Sequence, residues 1–175
     1  MLKKVLIGVA VLIGAFAAFV AMLPSDYRLE RSIVISAPAE KIFPYLNDLH
    51  KEDAWSPWSK LDPAMKKTFS GPESGVGSVY GWDGNDKVGA GQLTITDVQE
   101  NARVARKLEF TRPYQSAADT EITLKPQEGG TLVTWSMSGH KGYIDKAFCF
   151  FMDMEKMVGP DFEKGLAQLK ALVEG

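Results

Sequence analysis

Apolar and polar positions divide this chain into three stretches of different period. From Val5 to Leu23 there is no alternation: 19 consecutive residues carry no charge, and only Gly8 and Gly14 are not apolar. As a helix rising about 1.5 Å per residue, the run spans roughly 28 Å, close to the roughly 30 Å hydrocarbon core of a bilayer. A buried core helix is a poor fit, because the segment has no polar stripe. A signal peptide would have a shorter apolar centre, about 7 to 15 residues, and a small-x-small cleavage site. Ala15-Phe16-Ala17 fits such a site loosely, but inside the run. Length therefore favours an uncleaved transmembrane anchor over 1–24, ahead of a body over 25–175. Lys3 and Lys4 favour an inside N-terminus. The body is then expected on the outer side, periplasmic in a Gram-negative bacterium; a cleaved leader would leave it secreted or periplasmic.

The second stretch alternates. Tyr27, Leu29, Arg31, Ile33 and Ile35 share one face of a predicted strand, with Arg31 the misfit. Ser36-Ala37-Pro38-Ala39-Glu40 then opens a helix, since Pro suits a first turn and Glu complements the dipole. Pro44 keeps that helix short or bent, and a second short helix or turn follows over 49–58. Strands are predicted over 66–69, 77–82, 88–98, 103–111, 117–124 and 132–138. Asp83-Gly84-Asn85-Asp86 and Gly129-Gly130 supply turns. Consecutive strands with short turns imply an antiparallel sheet. The third stretch is helical, over 143–158 and 160–173, with Gly159-Pro160 as the expected seam. Phe162, Leu166, Leu169 and Val173 form its apolar stripe.

Composition narrows the chemistry. A net charge of −2 and a pI near 5.7 give no basic footprint for nucleic acid. The single Cys149, flanked by Phe148 and Phe150, forms no internal disulfide and reads as a small buried hydrophobe. No His, Cys or acidic cluster has metal-ligand spacing, and Asp153-x-Glu155 reads as a solvated pair. The glycines of 71–81 lack the Lys-Ser/Thr ending of a phosphate loop and suit tight turns and sheet curvature. Neither His50 nor His140 has a partner at catalytic spacing. No metal and no cofactor is expected.

The segment Arg31-Ser32-Ile33-Val34-Ile35-Ser36-Ala37-Pro38-Ala39-Glu40-Lys41-Ile42-Phe43 carries a resemblance. So do Trp55-Ser56-Pro57-Trp58, Gly75-Val76-Gly77-Ser78-Val79-Tyr80-Gly81-Trp82 and the late Gly165-Leu166 helix. Together, over about 27–173, they resemble the SRPBCC superfamily: START domains, the birch-pollen-allergen type and the polyketide cyclase/dehydrase-like proteins. The resemblance implies an α+β helix-grip fold. In it a curved antiparallel sheet of about seven strands, with two short helices after the first, wraps around a long C-terminal helix. It further implies a hydrophobic cavity between sheet and helix, for lipids, sterols, polyketides or similar molecules, with cyclisation or hydrolysis in some members.

On that fold the expected ligand wall is Tyr80, Trp82, Phe110, Trp135 and Met137 from strands, with Phe148, Phe151, Met152 and Met154 from the helix. Met suits irregular apolar shapes. Arg106 shares a face with Val104, Leu108 and Phe110. It either holds a ligand's polar head, is turned outward by a bulge, or pairs across the strands with Glu121 or Asp119. The expected function is membrane-anchored binding or transport of a small hydrophobic ligand. Two alternatives stand beside it: a polyketide cyclase- or hydrolase-like enzyme using Arg106 or His140 with Tyr80, and a scaffold that binds a protein partner.

Overall fold

The structure, a computed structural model, describes residues 2–151 and 154–175; the side chains of Phe148, Cys149, Phe151 and Met154 fall outside that description. Helix α1 (Leu2–Met22) is the apolar run. Strand β1 (Asp26–Ile35) follows almost at once, then α2 (Ala39–Asn47), a 3-10 turn (Leu49–Lys51) and α3 (Glu52–Trp55). The strands β2 (Lys66–Ser70), β3 (Val79–Asp83), β4 (Ala90–Gln99), β5 (Arg103–Arg112), β6 (Ser116–Gln127) and β7 (Gly130–His140) come next. Helices α4 (Tyr143–Phe151) and α5 (Met154–Glu174) end the chain. All seven strands pair antiparallel in the order β1-β7-β6-β5-β4-β3-β2. The curved sheet grips the long C-terminal helix, as the alternation and the resemblance predict.

The inner face of the sheet is best read as rows across it. One row runs Ile33, Val133, Leu124. The next holds Arg31, Trp135, Ile122 and Val104. A third holds Leu29, Met137, Thr120, Arg106 and Ile95. The fourth passes through Ala118, Leu108, Leu93, Tyr80 and Phe69, with Tyr27 at its β1 end. Phe110, Gly91 and Trp82 form the last. Alternation puts these residues on one side because side chains in a strand repeat every two.

Helix α5 lies across β1 and against α3. Its stripe Phe162, Leu166 and Leu169 is buried among Ile35, Ile42, Leu46 and Trp55. Its end is tied to β1: Lys170 Nζ donates to the Val34 carbonyl (2.7 Å), and Glu174 Oε1 accepts from the Ser36 amide (2.7 Å). That amide bond holds the Glu174 carboxyl below its ordinary pKa, with Lys170 helping.

The expected seam at Gly159-Pro160 is corrected, because α5 runs through both residues. Packing on β1 and α3 holds this turn in the helix, and Arg31 adds to it. It faces inward towards α5, where its Nε donates to Glu163 (2.7 Å) and its Nη1 to Glu155 (3.2 Å). These acids lie one turn either side of Gly159, whose buried Cα lets the guanidinium approach; a Cβ there would sit 2.4 Å from Nη2. The Arg31 ion pairs thus bridge the turn that Pro160 weakens by removing one N–H. The misfit of strand β1 is a staple for the helix.

Candidate functional site

Burial divides the rows into two halves. Trp135 stacks on Phe162 with ring centroids 4.1 Å apart, and its edge meets Trp55 (5.2 Å) and Trp58 (5.8 Å). Its indole N–H donates to Thr120 Oγ1 (3.0 Å), while that of Trp55 donates to the Tyr45 carbonyl (3.0 Å). Rings therefore fill the space between this half of the sheet and α5. Further along, Leu93 and Tyr80 stay buried, but Leu108, Phe110, Ala118, Trp82 and Tyr27 are only partly covered.

The partly covered half carries an aromatic ladder. His50 stacks on Phe69 (4.1 Å), Phe69 on Tyr80 (5.3 Å), and Trp82 meets Phe110 edge-on (5.4 Å). The Trp82 indole is fixed by its N–H donating to the Val88 carbonyl (3.1 Å) and by lying over Gly91. A Cβ at Gly91 would come within 2.7 Å of that ring, so the glycine is the seat of the tryptophan.

Between the halves lies a charge. Arg106 is 1% exposed and Glu52 6%, and Arg106 Nη1 donates to Glu52 Oε2 at 3.0 Å. The guanidinium carbon lies 5.9 Å from the Trp55 ring centroid and 5.8 Å from that of Trp135. Arg106 Nε is buried with no hydrogen-bond partner among the described residues. Burial pushes the Glu52 carboxyl above its ordinary pKa, opposed by Arg106. The Tyr80 hydroxyl is also raised, by burial first and then by the charges of Asp53 and Glu52.

Arg106 thus follows neither of the outward alternatives. Glu121 is taken by Arg103, which also pairs with Asp97. Of the two register shifts between β4 and β5, the one beside Arg106 puts its extra residue on β4, between Ile95 and Asp97, and the other adds Thr111 to β5 beyond Phe110, so the alternation from Arg103 to Phe110 is intact. The partner, Glu52, was missed in the sequence. Its signal was there: Leu49, Glu52 and Trp55 are three apart and all buried, the spacing of one helix face.

Of the expected wall, the structure brings Tyr80, Trp82 and Phe110 together on the partly covered rows, with Arg106 and Met137 one row below. Trp135 is a further row down, against α5. Phe148, Phe151, Met152 and Met154 lie outside the described residues or side chains. His140 is exposed and pairs with Asp26 Oδ1 (3.0 Å), and His50 is held by Asp48 Oδ1 (3.2 Å). Among the described residues, two of the surface hollows lie largely away from the partly covered rows. One of about 230 Å³ lies at the β2 edge beside His50, Phe69 and Pro72. The other, of about 310 Å³, is formed largely by outward-facing Arg28, Asp97, Arg103, Asp119 and Glu121.

A model of the polyketide cyclase / dehydrase and lipid transport family matches residues 27–174. The chain belongs to this family. Membership agrees with the resemblance to the SRPBCC superfamily, and it suggests a hydrophobic ligand. Solved structures of the same fold agree. The Aha1 dimer from Colwellia psychrerythraea is 20% identical with a TM-score of 0.61, covering 85% of this chain and 96% of that one. Ara h 8.0201 is 15% identical with a TM-score of 0.59, covering 85% and 98%. A protein from Chromobacterium violaceum is 20% identical with a TM-score of 0.57, covering 87% and 99%. At these identities the neighbours show the fold alone. No curated protein matches the sequence. The family's description spans catalysts and carriers, so the site has to decide between them.

Proposed function

We propose that this family member is a membrane-anchored binder of a small hydrophobic molecule. One observation carries the reading. The rows of the inner face that stay partly uncovered, with Tyr27, Leu108, Phe110 and Trp82, are those nearest the start of β1. The chain reaches β1 directly from α1, four residues after Met22. On this reading the apolar mouth opens at the anchor end, where apolar molecules partition into the bilayer. Helix α1 is 21 residues long with a mean hydropathy of 2.7 over its best window, enough to cross a membrane by length and composition.

Affinity comes from burying the ligand's apolar body on Trp82, Phe110, Leu108 and Tyr80, at roughly 25 cal/mol per Å². Met137 adapts the floor to its shape, and the unpartnered Nε–H of Arg106 orients a polar group that reaches the third row. Trp135 lies below this floor and supports it. Phe148, Phe151, Met152 and Met154 belong to the segment expected to close the wall. The domain division at 24/25 and the outer location of the body are part of the same proposal.

Native mass spectrometry of the full chain, released from lipid nanodiscs, tests this. A single co-purified small molecule, lost in Phe110→Glu, is the expected result. Its absence from the wild type, together with no rise in melting temperature across an apolar ligand panel, contradicts the reading.

A second reading keeps one specific support. Glu52, Arg106 and Tyr80 are ionisable groups gathered at the floor of the mouth, and a carboxyl raised by burial suits general acid chemistry. Turnover of a bound ligand that stops in Glu52→Gln while binding persists would make the site catalytic.

A further inference from the structure

Helix α4 follows the end of β7, beside the partly covered rows. Among the described residues it packs mainly on α1. The Tyr143 hydroxyl donates to the Ala17 carbonyl (2.7 Å). Phe150 meets Phe16 (6.2 Å) and Phe19 (5.3 Å) edge-on. Seven of the nine residues of α4 are apolar, and only Asp145 and Lys146 carry charge. Asp145 is used locally, accepting from the Gly142 amide (3.0 Å). Yet three of its apolar side chains keep much of their surface exposed: Ile144 is 81% exposed, and Tyr143 and Phe150 are each 50% exposed.

Depth along α1 gives the occupant of this face. Phe16, Ala17 and Phe19 lie three to six residues before Met22, which is about 5 to 9 Å inside the end of the helix. An amphipathic helix lying in a membrane surface buries its apolar face about 5–10 Å into the headgroup–acyl boundary. The two depths coincide. An apolar face held against the last turns of a spanning helix is continuous with that helix's own lipid-facing surface.

We propose that α4 is an interfacial helix that inserts Tyr143, Ile144 and Phe150 into the leaflet through which α1 leaves the membrane. The anchor then has two parts: α1 fixes the chain to the bilayer, and α4 fixes its tilt, so that the mouth bordered by Tyr27, Leu108 and Trp82 rests at the acyl boundary. A ligand passes between leaflet and mouth without crossing water. The proposal rests on the reading of α1 as a membrane anchor.

The test uses the full chain in phosphatidylcholine vesicles, with a single environment-sensitive fluorophore attached at Ile144→Cys in a Cys149→Ser background. Parallel labels are placed at Val9→Cys, mid-way along α1, and at Glu128→Cys, on the hairpin tip far from α1. Vesicles with doxyl groups near the headgroup are expected to quench the Ile144 label several-fold more than the Glu128 label, with blue-shifted emission. A deep doxyl lipid is expected to quench the Val9 label. If Val9 is quenched but Ile144 behaves as Glu128, α4 stays in water and the inference fails while the anchor stands. If the Ile144 emission is blue-shifted but insensitive to doxyl lipid, α4 is packed on protein, and the inference again fails. If Val9 is not quenched either, the anchor reading itself is wrong.

Discussion

The two halves of one inner sheet face differ in what covers them. Towards Ile35, Trp135 is sandwiched by Phe162, Trp55 and Trp58, and α5 closes the space. Towards Tyr27 and Trp82 the same alternation continues, but α5 does not reach these rows to the same extent and the rings keep part of their surface in water. The strands alone do not distinguish the closed half from the partly covered one; the packing of α5 does. Under the proposed function, a stability core and a ligand surface are built from the same pattern, with the row of Arg106 between them.

The largest expected effect tests that division. Trp135→Ala removes the ring on which α5 rests and should cost about 3–5 kcal/mol in urea unfolding. Phe110→Ala, on the partly covered rows, should cost less than half as much, because a half-wetted ring returns less area to water. Equal losses would mean that both halves are core.

Next comes the buried charge between the halves. Arg106→Ala strands Glu52 and should destabilise by about 3–5 kcal/mol, whereas replacing both by Met should be close to neutral. The same pair predicts a pH dependence. In the unfolded chain Glu52 titrates near its ordinary value, and in the fold burial raises it. Between those two pKa values the folded state holds the extra proton, so stability falls as pH rises through the window and levels off above the folded pKa. Below the unfolded value the two states hold the same proton and the difference is absent. Glu52→Gln should flatten that fall in pH-dependent unfolding, even though its overall stability is lower.

Glycines on α5 sharpen the comparison further. At Gly165 a Cβ would lie 2.8 Å from Trp135 and 3.1 Å from Pro57, so Gly165→Ala should cost about 1–3 kcal/mol by overpacking. Gly159→Ala meets only the end of Arg31, which swings aside, and a smaller loss is expected. Arg31→Ala is the smallest of the set. Its partners Glu155 and Glu163 are mostly solvated, and such pairs are worth about 0–1 kcal/mol. Thermal unfolding of the three variants gives the order directly.

Much of this was legible beforehand. Period-two alternation and turn residues located the strands to within a few residues, most plainly in β1 and β5, where a slip would expose buried side chains; β2 is short and mostly exposed and carries little pattern. The α5 stripe was equally plain at Phe162, Leu166 and Leu169. Arg31 stood out as a misfit without its reason, since its partners are more than a hundred residues away. Gly159-Pro160 suggested a break from local propensity, and the packing of α5 on β1 and α3 overrides it. Glu52 escaped notice because a charged residue on a four-residue helix gives no pattern of its own. The turn of α4 towards α1 depends on two segments that periodicity treats separately.

The central claim is that ligand contacts the rows of Trp82 and spares those of Trp135. Fluorine NMR of the full chain in nanodiscs, with its four tryptophans replaced by 5-fluorotryptophan, reads both halves at once. Saturating anilinonaphthalene sulfonate should shift the Trp82 resonance and leave those of Trp55 and Trp135 in place. A spectrum in which Trp135 and Trp55 move while Trp82 does not would contradict the account.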